Sequence, residues 1–285
     1  MPVRKPPTER QRRLGAELRK MRERVGLTIN EAAVLHRTDR TTVSNTESAR
    51  SGVSTDRVRV WAANYSCHDS AYVDALAEMA RERRTGAANW WDEYRDVLVS
   101  TLLDLAELEH HAVALRAAQI THMPGLLQHE AYARALFEEE VPPLAAGDFE
   151  RKLAFRLRRN RVLDGPAAPQ CTFIIHEAAL RMRFGGRQTV RTQLTHLLEQ
   201  SERDNVTLRV LPFAVGGYPS AASSTLYAYG PVPQLDTVQT DSLGSTFADA
   251  ETHLANYRAV LDRMEERALD PQRSRVFLHE VAQDV

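Results

Sequence analysis

Residues 38–50 read TDRTTVSNTESAR, and only Val43 and Ala49 among them are apolar. Asp39 is a natural N-cap, so a helix is expected through Glu47, anchored by Val43. Such a helix has little to bury. Its hydroxyl, amide and guanidinium side chains suit a surface laid against many hydrogen-bonding groups, such as the floor of a DNA groove. A loop that is merely polar is the alternative, and the flanking sequence decides between them.

Upstream, Thr28 with Glu31 forms a capping-box pattern opening a short helix whose inner face is Ala32, Ala33 and Leu35. Before it, Thr8 with Gln11 opens a longer helix with Leu14, Leu18, Met21 and Val25 at helical spacing, stopped by Gly26. Downstream, Ser51-Gly52 breaks the chain, and Ser54 or Thr55 caps a helix containing Val58, Val60, Trp61 and Ala62. A fifth helix, from Asp69 to about Arg84, presents Tyr72, Val73, Leu76 and Met79. A helix-turn-helix needs a small residue in its first helix, a turn, and an apolar residue closing the second. Ala33, Arg37-Thr38 and Val43 meet these needs. Arg40, Thr41, Thr42 and Asn45 then face outward as base-reading candidates. Arg12, Arg13, Thr28, Asn30, Ser44 and Arg50 are better placed for phosphates, which position a protein without reading sequence.

Charge agrees with this division. Residues 1–66 carry 14 Lys and Arg against 7 Asp and Glu, a net +7, leaving 23 bases against 31 acids and a net of −8 in the remainder. A basic head on an acidic body fits double-stranded DNA as a partner of the head alone.

Residues 14–64, with LGAELRKMRERVGLTINEAA and TTVSNTESAR, resemble the XRE-type (lambda-repressor-like) helix-turn-helix family. Against the family pattern, His36 stands where an apolar residue is usual and Arg37 where Gly makes the turn. Thr46 replaces a larger aliphatic residue and Ala49 a second Gly. The resemblance implies a sequence-specific transcription regulator working as a homodimer, with half-sites about one helical turn apart.

Thr85-Gly86 is the expected boundary, giving a head over 1–86 and a larger domain over 87–285. There, a long helix is expected from about Asn89 to His110, then helices over 128–139, after Asp148, and over 177–183, 188–203 and 250–268, with a last one from near Ser274. Strands are expected over 172–176, 206–211, 225–229 and 238–240. The fold class is α+β, mainly α: a five-helix head followed by a larger helical domain with a small β-sheet. The stretches MPGLLQHEAYARALF (123–137), EAALRMRFGG (177–186) and LRVLPFAVGGYP (208–219) are similar to the large domain of WhiJ-like, antitoxin-like actinobacterial regulators. That resemblance implies a small partner protein encoded by a neighbouring gene. Pro124, Leu126, Leu127, Gln128, Tyr132 and Glu177 are candidates for a partner or ligand pocket, or for docking of helices onto the core.

Other chemistry finds little support. No GxSxG, HExxH, Walker or GxGxxG pattern occurs, so neither an enzyme nor a cofactor is expected. His110 and His111 are adjacent and diverge by about 100° on a helix, which makes a poor metal pair. The arginines at 151, 156, 158, 159 and 161 are read as a solvated face. Cys67 and Cys171, far apart and without CxxC spacing, are read as buried small residues in a reducing compartment. Without a signal segment or a membrane-length apolar run, a cytoplasmic, nucleoid-associated protein is expected. The alternatives are a small-molecule-sensing regulator without a protein partner, an enzyme with a degenerate head, and an assembly scaffold.

Overall fold

The computed structural model describes residues 6–85, 89–219, 223–242 and 244–285, and the chain divides into two compact units, Met1–Glu93 and Tyr94–Val285. Gly86, on which the expected boundary falls, lies outside the described residues.

In the first unit, α1 (Glu9–Arg24), α2 (Ile29–Leu35), α3 (Arg40–Glu47), α4 (Thr55–Asn64) and α5 (Ser70–Thr85) follow one another. Their starts are fixed by side chains that accept otherwise unsatisfied helix N–H groups. Thr8 with Gln11 and Thr28 with Glu31 form reciprocal capping boxes, and Asp39, Ser54 and Asp69 accept from the N–H groups of Thr42, Arg57 and Tyr72. Leu14, Leu18 and Met21 meet Ala32, Ala33, Val43, Trp61 and Leu76 in a closed core. Three expected core residues lie outside it: Leu35, Val60 and Val25 are 43%, 55% and 39% exposed. Val60 lies about 200° around α4 from buried Val58. Leu35 gives way to the next residue, because the ring of His36 stacks on Trp61 at 4.3 Å.

The second unit contains α6 (Ser100–His111), β1 (Ala114–Gln119), α7 (Glu130–Glu138), α8 (Ala146–Arg159), β2 (Gln170–His176), α9 (Glu177–Arg181), α10 (Gly186–Gln200), β3 (Val206–Leu211), β4 (Ser224–Tyr229), β5 (Thr237–Ser242), β6 (Gly244–Ala248), α11 (Glu251–Arg267) and α12 (Pro271–Asp284). The strands form one mixed sheet in the order β3-β2-β1-β4-β5-β6. β1, β2 and β3 are parallel and joined by helical crossovers, whereas β4, β5 and β6 form an antiparallel meander. Alternation along the strands divides the core between two faces. Leu115, Phe173, Ile175, Leu208 and Val210 pack with Leu194 and Leu197 of α10 and Leu278 and Val281 of α12. Ala118, Ile174, Leu211 and Tyr227 face Leu254, Leu261 and Met264 of α11.

The chain is α+β and mainly α, as its sequence implies, but several elements differ. The long helix expected from Asn89 is a 3-10 turn at Trp90–Tyr94 followed, after extended Val99, by α6. β1 was not expected, since ALRAAQ has alanines and an arginine rather than β-branched residues; pairing on both sides imposes the strand. β6 was not expected either. α8 begins before Asp148, and α12 begins at Pro271 behind an Asp270 cap rather than near Ser274. No helix among the described residues is long and apolar enough to cross a membrane.

Candidate nucleic-acid interface

The two sides of α3 have different tasks. Val43 and Thr46 are buried, and Glu47 turns inward to Arg22 of α1. The Arg22 guanidinium grips both Glu47 carboxylate oxygens, Nε to Oε1 at 2.7 Å and Nη2 to Oε2 at 3.0 Å, while Nη1 donates to the Leu27 carbonyl at 2.6 Å. This fork-on-carboxylate geometry fixes position as well as charge. The bond to Glu47 also holds the Arg22 pKa above its ordinary value. Beside the pair, a Cβ on Gly15 would stand 2.4 Å from the Glu47 carbonyl oxygen and 2.8 Å from that of Thr46. Only glycine lets α1 and the end of α3 come so close.

At the other end, Asp39 accepts both the N–H and the hydroxyl of Thr42, each at 2.7 Å. Those hydrogen bonds lower the Asp39 pKa, so the cap stays anionic. Thr42 is therefore part of the cap, and its hydroxyl proton is committed there rather than offered to a base. With Val43, Thr46 and Glu47 inward, helical geometry turns positions 40, 41, 44, 45 and 48 outward as one stripe. Arg40, Thr41 and Ser48 are exposed, and Ser44 and Asn45 are half-buried. Ser44, expected on the flank for phosphates, thus shares the stripe with the base-reading candidates. Ser48, not singled out in the sequence, lies at its end, with its hydroxyl donating to the Ser44 carbonyl at 2.7 Å.

Turns bracket this helix. Arg37 (φ 51°) and Ala49 (φ 57°) both adopt the left-handed conformation that glycine favours. Each costs about 1 kcal/mol relative to an ordinary backbone. His36 takes the expected apolar place by stacking on Trp61, meeting Tyr65 edge-on at 4.8 Å and placing Nδ1 3.1 Å from the Asn64 amide. Burial, with Arg57 nearby, lowers its pKa to about 4, so the ring is neutral at physiological pH.

The cations of the head fall into two groups. Arg12 is bonded to Glu9, Arg19 to Glu23, Arg22 to Glu47, Arg59 to Asp74, and Arg13 and Lys20 to Glu17. Arg37, Arg40 and Arg50, in α3 and the turns that bracket it, form no ion pair among the described residues, and neither do Arg24 of α1 and Arg57 of α4. Of the phosphate candidates, Asn30 and Arg50 are exposed, Thr28 is exposed with its hydroxyl bonded to Glu31, and Arg12 is exposed beside Glu9. Arg13 departs from expectation. Its side chain is 10% exposed and lies 2.7 Å from Glu17, whose other oxygen accepts the Tyr72 hydroxyl. It supports Glu17, which joins α1 to α5, instead of facing outward.

The second unit arranges its candidates differently from a pocket. Pro124, Leu126, Leu127, Gln128 and Tyr132 are buried, and Leu126, Leu127 and Tyr132 belong to the main core. Tyr132 accepts the Met123 N–H at 3.3 Å, Gln128 donates to the Met123 carbonyl at 2.8 Å, and Gln193 of α10 binds both Leu127 and His129. Burial pushes the Tyr132 pKa up to about 12. Glu177 takes no part in this network: it accepts from Arg181 at 2.7 Å and from the Phe213 N–H at 2.8 Å. His176, not Glu177, caps α9. Together the six residues anchor the PGLLQ turn and the start of α9 rather than line an open groove.

Of the arginines read as a solvated face, Arg151 and Arg161 are exposed, but two others are not as expected. Arg159 is 5% exposed and forks onto equally buried Glu109 at 2.9 and 2.5 Å, and Arg156 lies over the Phe137 ring, close against Gly125. Cys171 is buried, with its pKa pushed up to about 12, but Cys67 is only half-buried. No cluster of three or more His, Cys, Asp or Glu among the described residues could hold a metal ion. An open depression of about 770 Å³ is lined by Arg116 of β1, Arg209 of β3, the end of α11 and the start of α12. Glu265 bridges two of its arginines, 2.8 Å from Arg116 and 3.3 Å from Arg209.

Comparison with known families gives a match to a helix-turn-helix domain over residues 13–70, which covers the whole of α2, the turn and α3. Residues 102–280 match a domain of unknown function, DUF5753. No curated protein and no solved structure matches the chain.

Proposed function

The chain belongs to the DUF5753 family, with a helix-turn-helix head, and from that premise we propose that it is a sequence-specific transcriptional regulator of the XRE type. The observation that carries this reading is the division of α3. One side is clamped to α1 through Glu47, Val43 and Gly15, while the other offers Arg40, Thr41, Ser44 and Asn45, with Arg37 and Arg50 in the turns on either side. Arg forks onto guanine and Asn onto adenine, and hydroxyls serve either base. Arg37, Arg50 and Arg57 supply the positive surround that phosphates require. The regulator acts in the cytoplasm at the nucleoid, as a dimer on two half-sites, and performs no catalysis.

For the larger unit, the likeness to WhiJ-like, antitoxin-like regulators supports a small protein from a neighbouring gene as the signal that alters DNA binding. A second reading, a small-molecule sensor, is favoured by the charged depression at Arg116 and Arg209, which suits a polar ligand. Co-expression with the neighbouring gene separates them: a stable complex supports the first, and purification of the chain alone supports the second.

The DNA-binding reading is tested by selecting bound sequences from a random duplex pool across a range of salt. Arg40→Ala and Asn45→Ala are each expected to lose roughly 1–3 kcal/mol of base discrimination. Arg50→Ala is expected to weaken binding on every sequence and flatten the salt slope by about 1. Absence of duplex binding by the intact chain at low salt would end the reading.

A further inference from the structure

The second unit is acidic, yet α10 carries a local surface of the opposite sign. Arg187 and Arg191 stand one turn apart on its exposed side, and Arg183 precedes them in the turn that enters the helix. None of the three has an ion pair or side-chain hydrogen bond among the described residues. Elsewhere in this unit Arg116, Arg134, Arg159, Arg181, Arg203 and Arg275 meet carboxylates, and Arg161, Arg267 and Arg273, which form no ion pair among the described residues, each have an acid three positions away in Asp164 or Asp270. Arg258 and Arg263 of α11, also without a bonded carboxylate, each have an acid one turn away in Asp262 and Glu266. The positions three and four residues from Arg183, Arg187 and Arg191 hold no acid at all. Like charges one turn apart destabilise a helix, so internal stability gives no reason for them.

The neighbouring residues narrow the kind of partner. After its first residue, Gly186, α10 reads RQTVRT where α3 opens RTTVSN, and in both runs the fourth residue is a fully buried valine, Val190 and Val43. Burying the fourth residue turns the first, second and fifth outward, giving Arg187, Gln188 and Arg191 on one helix and Arg40, Thr41 and Ser44 on the other. The exposed face of α10 thus mixes guanidinium, amide and hydroxyl groups, without the aromatic anchors that dominate protein interfaces. Such a face fits a polyanionic backbone that accepts hydrogen bonds along its length.

We infer that Arg183, Arg187 and Arg191 form a second DNA contact, made by the large unit to duplex phosphates and independent of the base reading by α3. This rests on the regulator reading and extends it from the head to the body. The intact chain is titrated with a random-sequence duplex over a salt series, beside the variant Arg183→Ala/Arg187→Ala/Arg191→Ala and its counterpart with lysine at the same three positions. The alanine variant is expected to show a log–log salt slope shallower by about 2 to 3, with unchanged base preference, because each lost phosphate contact removes roughly 0.9 from the slope. The lysine variant is expected to keep the slope. A thermal melt checks the fold, and all three side chains are exposed.

An alanine variant that melts like the parent and keeps the parental slope would overturn this inference alone. Parental slope together with loss of binding to polyglutamate would also overturn it, assigning the face to an acidic protein. If the parent chain bound no duplex at all, the regulator reading would fall first and this contact with it.

Discussion

Gly15 decides how near α1 and α3 can come. A methyl group there would meet two backbone carbonyls, which cannot swing aside as a side chain can. Gly15→Ala is therefore expected to destabilise the head by about 1–3 kcal/mol, seen as a lower melting temperature together with weaker DNA retention. The Arg22–Glu47 pair makes a different case. Removing either partner leaves a buried charge alone and costs about 3–5 kcal/mol, whereas replacing both with apolar residues of similar size costs much less. A double-mutant cycle on the melt distinguishes those outcomes. His36 makes the head sensitive to acid. Its pKa is near 4 when folded, against an ordinary value of about 6.5, so the unfolded chain binds the proton more readily. This contribution is complete above about pH 6.5 and is lost as pH falls toward 4, by roughly 1–2 kcal/mol after allowance for solvent screening. His36→Phe is expected to flatten that part of the stability curve.

At the scale of elements, local chemistry made the head legible. Thr8, Thr28 and Asp39 announce their helices because a cap is a contact between residues three apart, visible in any sequence. Arg40, Thr41 and Asn45 were visible for the same reason, since burial of Val43 fixes what faces outward. Gly15 and Arg22 were not, because what they meet lies on another helix, Glu47 being 25 residues from Arg22; Arg13 was misplaced because the burial of its neighbour Glu17 depends on Tyr72, 55 residues away. β1 was hidden because its neighbours, not its alanines, make it a strand, and PGLLQ left a pocket and core docking both open because buried leucines leave the same trace whether they line a groove or fill a core. α12 shows how such distant contacts support an element. Its Ser274 hydroxyl accepts the buried Val210 N–H of β3 at 2.9 Å. Ser274→Ala is expected to leave that donor unsatisfied, at a cost of about 1–3 kcal/mol in the melt.

For the whole molecule, two cores imply two stabilities. Arg159→Ala strands the Glu109 carboxylate beside Cys171 and is expected to destabilise the larger unit by about 3–5 kcal/mol. The base preference of the head is expected to survive, which sequence selection with the variant checks. If base preference changed with it, the two units would not be separable in function. The sheet, finally, has two unlike margins. Along β3 the Val210 N–H is taken by Ser274 and its carbonyl by the N–H of Leu269, so a further strand finds this margin occupied. Along β6 the only strand paired among the described residues is β5. A strand lent by another chain would therefore find the β3 margin taken at Val210, whereas at β6 no second strand is paired among the described residues.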